Sequence, residues 1–425
     1  MAGEWLKVPA GDLFSYIAKG IPPVYAESNS DNAICVLNQK CNRNFEISFE
    51  DSRLHDISKR DVPREKILKE NDIIINSTGK GTAGRVAQIF DIDFPITVDG
   101  HMIIIRANEK IDPWYLGYAL KMQQPLIEQL AEGSTGQTEL NRQRLSSEIL
   151  VDYPKDLHEQ RIIAELFFAI DSRLYVNRMI SDHLEEIARA IFKHWFIDFE
   201  FPNENGDPYK SSGGEMIDSP LGPIPKRWRV GNISDIANIL GGGTPRTSID
   251  EYWIGDIPFF TPKDAKALYC IHTEKCLTKK GLQSCSSRLY EKNTVFITAR
   301  GTVGKLVLAG TPMAMNQSCY ALIGKEVSQN FLYLAIDNLV DSLKQSSHGA
   351  VFSTITTATL ESTKVLIPEA SVERDFRGRI ASFFETMLTN DEENGKLSEL
   401  RDSLLPKLMS GEIRIPVSEK EDDQL

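Results

Sequence analysis

The sequence predicts an α+β chain written twice: two β-rich domains in pseudo-two-fold repeat, separated by two long helices packed antiparallel as a coiled coil. Three observations predict it. The first is a recurrence at a nearly constant step. Trp5 and Trp228, Asp12 and Asp235, Gly20 and Gly243, Pro22 and Pro245, and Lys40 and Lys263 are each 223 residues apart. Gly81-Thr82-Ala83-Gly84-Arg85 recurs as Gly301-Thr302-Val303-Gly304-Lys305 at 220, and Leu184, Ile187 and Ile191 recur as Leu397, Leu400 and Leu404 at 213. The step shrinks while the order holds, as when one module is copied and its loops are then shortened. Solenoid repeats run to about 20–50 residues, so a copy of this length is a complete domain with a connector.

The second observation is a repeated order of β-type segments. Ile73-Ile74-Ile75 and Val295-Phe296-Ile297 are short apolar runs ahead of the two glycine turns, and His101–Arg106 and Cys319–Ile323 follow them; all four read as buried strands. Helices follow at about Pro113–Leu130 and Gln329–Gln345. Each copy then closes on a strand ending in proline, Ile149–Pro154 and Val365–Pro368.

The third is a heptad seam in each helix beyond those prolines. Asp156 with Glu159 three residues on resembles a capping box. Ile163, Leu166, Ile170, Asn177, Ile180, Leu184, Ile187 and Ile191 then alternate steps of three and four, with Arg173 the one missing beat. In the second helix Phe376, Phe383, Asn390, Leu397, Leu400 and Leu404 take the equivalent places, with Arg379 and Glu393 weakening the seam. Asn177 and Asn390 are themselves equivalent, and either fix the register from inside the seam or face solvent.

The resulting division is 1–155 and 228–369 for the two domains, 156–197 and 370–413 for the helices, 198–227 for a Pro- and Gly-containing linker, and 414–425 for an acidic, disordered tail. Because the ends of a compact domain usually lie close together, the end of the first helix should fall near the start of the second, which makes them antiparallel. About 40 residues at 1.5 Å each give a spacer of about 60 Å.

The bulk numbers narrow the function. A chain of 425 residues exceeds one core. No apolar run approaches the roughly 20 residues of a membrane span, and the start is no secretory signal, which points to a cytoplasmic protein without membrane contact. A net charge of −12 excludes nonspecific coating of a polyanion but not a local basic contact. The six cysteines read as reduced thiols, and Cys270, His272, Cys276 and Cys285 fit no common zinc spacing.

The sequence carries no legible Ser/His/Asp triad, paired acid set or metal cluster. The turn after Gly79 lacks the Lys-Ser/Thr of a phosphate-binding loop, since Arg85-Val86 and Lys305-Leu306 stand there and no magnesium-binding hydroxyl is present. Asp112-Pro113-Trp114-Tyr115 resembles the Asp-Pro-Pro-Tyr motif of amino-group methyltransferases, but Trp114 replaces a proline and no glycine-rich cofactor loop precedes it. It reads as a helix start.

What both copies keep is a glycine turn between cations: Lys80, Thr82 and Arg85 in one, Arg300, Thr302 and Lys305 in the other. Such a turn is either a phosphate contact or a structural hairpin. A second paired loop, Gly133–Thr138 and Ser346–Val351, carries Thr135 and Gln137 in one copy and Ser347 and His348 in the other; Arg142 and Arg144 follow the first. These groups either contact phosphate and base edges or simply connect a helix to a strand.

Taken together, the chain resembles the specificity subunit of type I restriction-modification systems. The resemblance rests on Gly241-Gly242-Gly243-Thr244-Pro245, Ile257–Asp264, Arg300–Lys305 and Asn316–Cys319 in the second copy, and on Ile75–Thr82 and Glu159–Ile163 in the first. Leu221–Trp228 and the ending Leu404–Ile413 complete it. It implies two target recognition domains and two conserved spacer helices, with no catalysis by this chain itself. It further implies a bipartite, gapped site in double-stranded DNA, two methyltransferase subunits carrying S-adenosylmethionine for adenine-N6 methylation, and restriction subunits using ATP and Mg. A spacer of about 60 Å would cover about 17 base pairs. The rival readings are a DNA-recognition subunit of a related phage-defence adenine methyltransferase and a coiled-coil adaptor without sequence preference. The resemblance carries over no base-reading residue.

Overall fold

The computed structural model describes residues 4–26, 32–131, 139–346 and 354–415. The chain divides into two compact units, Met1–Arg173 with Leu397–Leu425, and Leu174–Lys396. Two 40-residue helices, Leu157–Phe196 and Ala370–Met409, contribute a segment to each unit. Among the described residues no helix is long and apolar enough to cross a membrane.

The first unit is built on a four-stranded antiparallel sheet ordered Phe14–Lys19, Met102–Ala107, Ile73–Asn76 and Val86–Gln88. Its two middle strands are continuous apolar runs because both faces are covered, and Ile73, Ile74, Ile75, Ile103, Ile104 and Ile105 are fully buried. A second sheet sets Ala33–Leu37 between Arg53–Asp56, antiparallel, and Ile96–Val98, parallel. Trp5–Pro9 pairs with Leu150–Pro154 to close the unit.

The second unit repeats this wiring to the residue. Its main sheet orders Ala237–Gly241, Cys319–Gly324, Val295–Thr298 and Leu306–Ala309, with Tyr269–Cys270 added at the far edge. Gly241 pairs with Tyr320 as Lys19 pairs with Ile103, and Val295 pairs with Leu322 as Ile73 pairs with Ile105. The offsets are constant, 241 − 19 = 295 − 73 = 222 and 320 − 103 = 322 − 105 = 217. A one-residue slip would turn every apolar side chain to the wrong face, so shared register means a shared core plan. The second sheet again mixes one antiparallel and one parallel pairing, and Arg229–Asn232 with Lys364–Ile367 closes the unit.

The linker follows a fixed path within the second unit. Phe201 stacks between Tyr209 at 4.6 Å and Trp228 at 5.2 Å, and Met216–Ile217 pairs with Ile224–Pro225. In the first unit Arg414, the first residue of the expected tail, lies over the Trp5 ring at 5.8 Å; residues 416–425 of that tail lie outside the described residues.

The helix seam differs from expectation in one of its two rows. Ile163, Ile170, Asn177, Leu184 and Ile191 are buried or half-buried, as are Phe383, Asn390, Leu397 and Leu404. Leu166, Ile187 and Leu400 are not in the seam: they are 37%, 46% and 46% exposed, and Ile180 is exposed as well. The second row lies one residue later, at Phe167, Leu174, Ser181, Ala188 and Trp195, and in the other helix at Ile380, Met387, Asn394, Arg401 and Leu408. A residue at i+4 is rotated about 40° from position i and one at i+3 about 60° the other way, so either can share its stripe. The missing beat at Arg173 is the sign of the shift, because Leu174 fills it.

Asn177 and Asn390 face inward rather than solvent. Asn177 Nδ2 donates to Glu393 Oε2 at 2.8 Å and Asn394 Oδ1 at 3.0 Å; Asn390 Nδ2 donates to Ser181 Oγ at 3.2 Å and the Asn177 carbonyl at 3.3 Å. Since 394 − 181 = 390 − 177 = 213, the Asn177–Asn394 and Asn390–Ser181 bonds are one interaction made twice with the helices exchanged. Phe376, early in the second helix, packs on Phe192 and Phe196, late in the first, so the segments within this unit run antiparallel.

Candidate nucleic-acid interface

Each glycine turn is the end of a buried strand that must reverse in a few residues. In the first unit Gly79, Gly81 and Gly84 take φ of +110°, +73° and +89°, and in the second Gly301 and Gly304 take +79° and +83°. These are left-handed conformations that side chains disfavour. The Gly84 amide returns to the Asn76 carbonyl at 2.8 Å and the Gly304 amide to that of Thr298 at 2.8 Å. From below, Asn76 donates to the Gln39 carbonyl at 2.9 Å and Asn42 to that of Arg85 at 2.8 Å; in the second unit Thr298 Oγ1 accepts from the Lys305 amide at 2.9 Å and donates to the Thr302 carbonyl.

The fold brings this turn beside two other segments in the same way in both units. The Ser77 amide donates to His101 and its carbonyl accepts from Leu140; the Ala299 amide donates to Ser318 and its carbonyl accepts from Ile355. The segment that follows the second paired loop is therefore bonded to the base of the glycine turn. Thr135, Gln137, Ser347 and His348 of that loop lie outside the described residues.

The cations divide by their partners. Lys80 and Arg300 are exposed, and neither has a side-chain partner among the described residues. Arg85 donates to the Gly81 carbonyl at 2.9 Å within its own turn, and Lys305 to that of Ala265 at 3.1 Å, which ties the second turn to a neighbouring segment. Thr82 is half-buried and Thr302 exposed. Arg142 is exposed at the start of the short helix Arg142–Glu148, whereas Arg144 is held by both oxygens of Glu148 at 2.6 and 3.0 Å. The Glu148 carboxyl is lowered by that bond.

Sequence reading named Asn316–Cys319 but missed the turn it makes and its counterpart at Asp99. The His101 amide donates to Asp99 Oδ1 at 2.9 Å, and the Ser318 amide to Asn316 Oδ1 at 3.0 Å, giving both units the same side-chain turn. His101 then meets Thr78 Oγ1 at 2.8 Å, and Gln317 bonds Thr244. The signal was an Asx two residues before a polar side chain, repeated at a step of 217.

The other motifs are occupied structurally. Asp112 Oδ1 accepts from the Trp114 and Tyr115 amides at 2.9 and 3.0 Å, which makes Asp112-Pro113 a helix cap. Cys270 donates to the His272 carbonyl at 3.4 Å, and burial pushes its thiol up to about 12. Among the described residues no group of three or more His, Cys, Asp or Glu could hold a metal.

What is built twice, then, is a sheet edge carrying polar loops. The family model described as the type I restriction modification DNA specificity domain matches residues 3–186 and again 225–401. The chain belongs to the type I restriction-modification DNA specificity family. Each family domain takes one copy of the sequence repeat. Among type I specificity subunits, that of the restriction enzyme MjaIX of Methanocaldococcus jannaschii is 32% identical over 191 residues, 44% of this chain and 44% of that one. That of HindI of Haemophilus influenzae is 24% identical over 83% of this chain and 89% of its own. The crystal structure of the type I S subunit from M. genitalium has a TM-score of 0.59 at 18% identity, covering 96% of each chain, which shows a shared fold.

Proposed function

We propose that this chain reads a bipartite, gapped site in double-stranded DNA, one half-site at each glycine-turn edge, and carries no catalytic centre of its own. The carrying observation is the edge built twice at constant register, with the turn, the Asx segment and the segment at Leu140 and Ile355 in the same relation in both units. Two such edges on one chain suit two half-sites with unread base pairs between them. Lys80 and Arg300 supply phosphate contacts that position the duplex without reading it.

Two methyltransferase subunits holding S-adenosylmethionine, and restriction subunits using ATP and Mg, complete the assembly in this reading. Exposed apolar residues of the first long helix support a docking role, Ile180 and Ile187 among them displaced from the expected seam. Tyr175, Val176, Met179, Ile180 and Ile187 leave the first long helix apolar and exposed within the second unit, where charged side chains are the norm.

Exchanging residues 1–155 for the corresponding domain of another family member tests the assignment of one half-site to each copy. Mapping of methylated adenines in cells carrying the hybrid with its methyltransferase should show one half-site changed and the other retained. A hybrid with both half-sites altered would defeat independent reading.

A further inference from the structure

The two edges share their turns and differ beside them. In the first unit a groove of about 700 Å³ runs between the edge strand Phe14–Lys19 and the helix Arg142–Glu148, lined by Lys19, Glu139, Arg142, Gln143 and Ser146 among others. It adjoins a second groove of about 460 Å³, lined in part by Tyr16, and Gln143 and Ser146 border both. The register fixes what occupies these places in the second unit. Lys19 corresponds to Gly241 through the strand pairing, a step of 222, so Gly20 matches Gly242 in the structure and not Gly243 as the sequence step of 223 suggests. The helix caps Asn141 and Thr356 correspond, as do the buried Leu145 and Leu360, so Arg142, Gln143 and Ser146 correspond to Thr357, Ala358 and Glu361.

This sorting has a functional meaning. Groups common to both edges, the glycine turn and its cations, cannot distinguish two different half-sites; groups that differ at matched positions can. Among those that differ in the first unit, Arg142 and Gln143 are exposed and their side chains make no hydrogen bond among the described residues. Arg144, one residue on, is committed to Glu148. An arginine fork matches guanine O6 and N7 in the major groove, and a glutamine amide matches adenine N6 and N7. At the matched place in the second unit Thr357 Oγ1 donates to the Tyr320 hydroxyl at 3.1 Å and Ala358 carries no polar group.

We infer that Arg142 and Gln143 read guanine and adenine in the half-site bound by the first unit, and that the second unit recognises its half-site without counterparts to them. The inference rests on the DNA-reading function proposed above. It is tested by R142T/Q143A, which installs the second unit's residues, in the complex with its methyltransferase. The methylated motif should relax or change at one or two positions of one half-site only. In competition binding, preference for the parent half-site over a single-base variant should fall roughly five- to 150-fold, with nonspecific affinity at the same salt little altered.

Two controls separate the roles. R144A should leave the motif unchanged. K80A/R300A should weaken binding on all sequences alike and flatten its salt dependence. An unchanged motif in R142T/Q143A overturns the inference, and so does a loss of affinity equal on every sequence, which would make Arg142 a phosphate contact. Absence of any bipartite motif with the parent chain overturns the function itself instead.

Discussion

The two units hold their helices with different chemistry at the same repeat positions. In the first, Asp171 accepts from the Tyr118 hydroxyl at 3.0 Å and Lys121 at 2.7 Å on one oxygen, and from Arg401 at 3.0 Å on the other. In the second, the place of Asp171 is Phe384 and that of Arg401 is Ala188, both buried and both 213 residues away. Phe384 meets the Tyr333 ring at 6.0 Å, and Phe196 packs on Phe331 and Phe376 at 5.0 and 4.8 Å. At this place one backbone plan thus accepts either a carboxylate with three donors or a ring, while in the second unit the Tyr333 hydroxyl donates at 2.7 Å to Glu185, which Arg189 also holds at 2.9 Å. The difference lies in how each fails: a ring loses contact area by degrees, whereas a buried charge network loses its balance when one member goes.

The largest effects should come from this matched pair. Asp171→Ala leaves Lys121 and Arg401 facing each other with side chains only 15% and 22% exposed, a loss of about 3–5 kcal/mol. Burial already lowers the Lys121 pKa, against the pull of Asp171, so removing that carboxylate takes away the main support of its charge. Phe384→Ala should cost a similar 3–5 kcal/mol through the cavity it opens. Hydrogen exchange distinguishes the two. Protection should fall in residues 4–173 and 397–415 for the first variant and in 174–396 for the second. Equal loss in both units from either change would mean that the units do not hold their helices independently.

A smaller effect compares the turns. A methyl added at Gly84 would sit 2.6 Å from Glu128 Cα and 2.7 Å from its backbone nitrogen, while one at Gly304 would meet Lys344 Cε at 2.7 Å and Val340 Cγ1 at 3.2 Å. Both positions carry the left-handed strain of about 1–2 kcal/mol. Only the first clash involves backbone, so Gly84→Ala should cost about 2–4 kcal/mol and Gly304→Ala about 1–2. Thermal unfolding of the two variants checks the order, and a reversal would show the second turn to be the stiffer.

Much of this architecture was legible in the sequence because duplication doubles every weak signal. Trp5/Trp228 and the two glycine turns gave the frame, and the apolar runs at Ile73–Ile75 and Val295–Ile297 gave the buried strands. The seam was half legible: Leu166 and Phe167 are both apolar, and only packing against Tyr118, whose ring meets Phe167 at 5.6 Å, decides which phase is buried. For the candidate site, residue type indicated where cations stand but not which are free. Arg85, Arg144 and Lys305 look like Lys80 and Arg142 in sequence, and differ because a carbonyl or carboxylate lies within reach. The Asx turns at Asp99 and Asn316 went unnoticed since no single copy makes them conspicuous.

The smallest effect probes a charge that the second unit leaves uncompensated. Asp391, part-buried in the second long helix, accepts from the Tyr269 backbone but lies near Asp182 and Glu185, and burial first and these like charges next push its carboxyl up to about 6. Its repeat counterpart is Arg178. With an unfolded value near 3.8, the folded state favours the protonated form. The stability this contributes is therefore fully present below about pH 4 and lost as pH rises through about 6. At pH 8 the charge opposes folding, whereas at Asp171 the charge is satisfied by three donors. Asp391→Asn keeps an oxygen for the Tyr269 amide and removes the charge, so it should stabilise the protein by about 1–2 kcal/mol at pH 8 after allowance for solvent screening. That gain should shrink through pH 6 and vanish near pH 4 in denaturant titrations. A gap of the same size at every pH would show that amide packing, not ionisation, sets the difference, and the second unit would then tolerate a lone carboxylate as readily as the first tolerates a paired one.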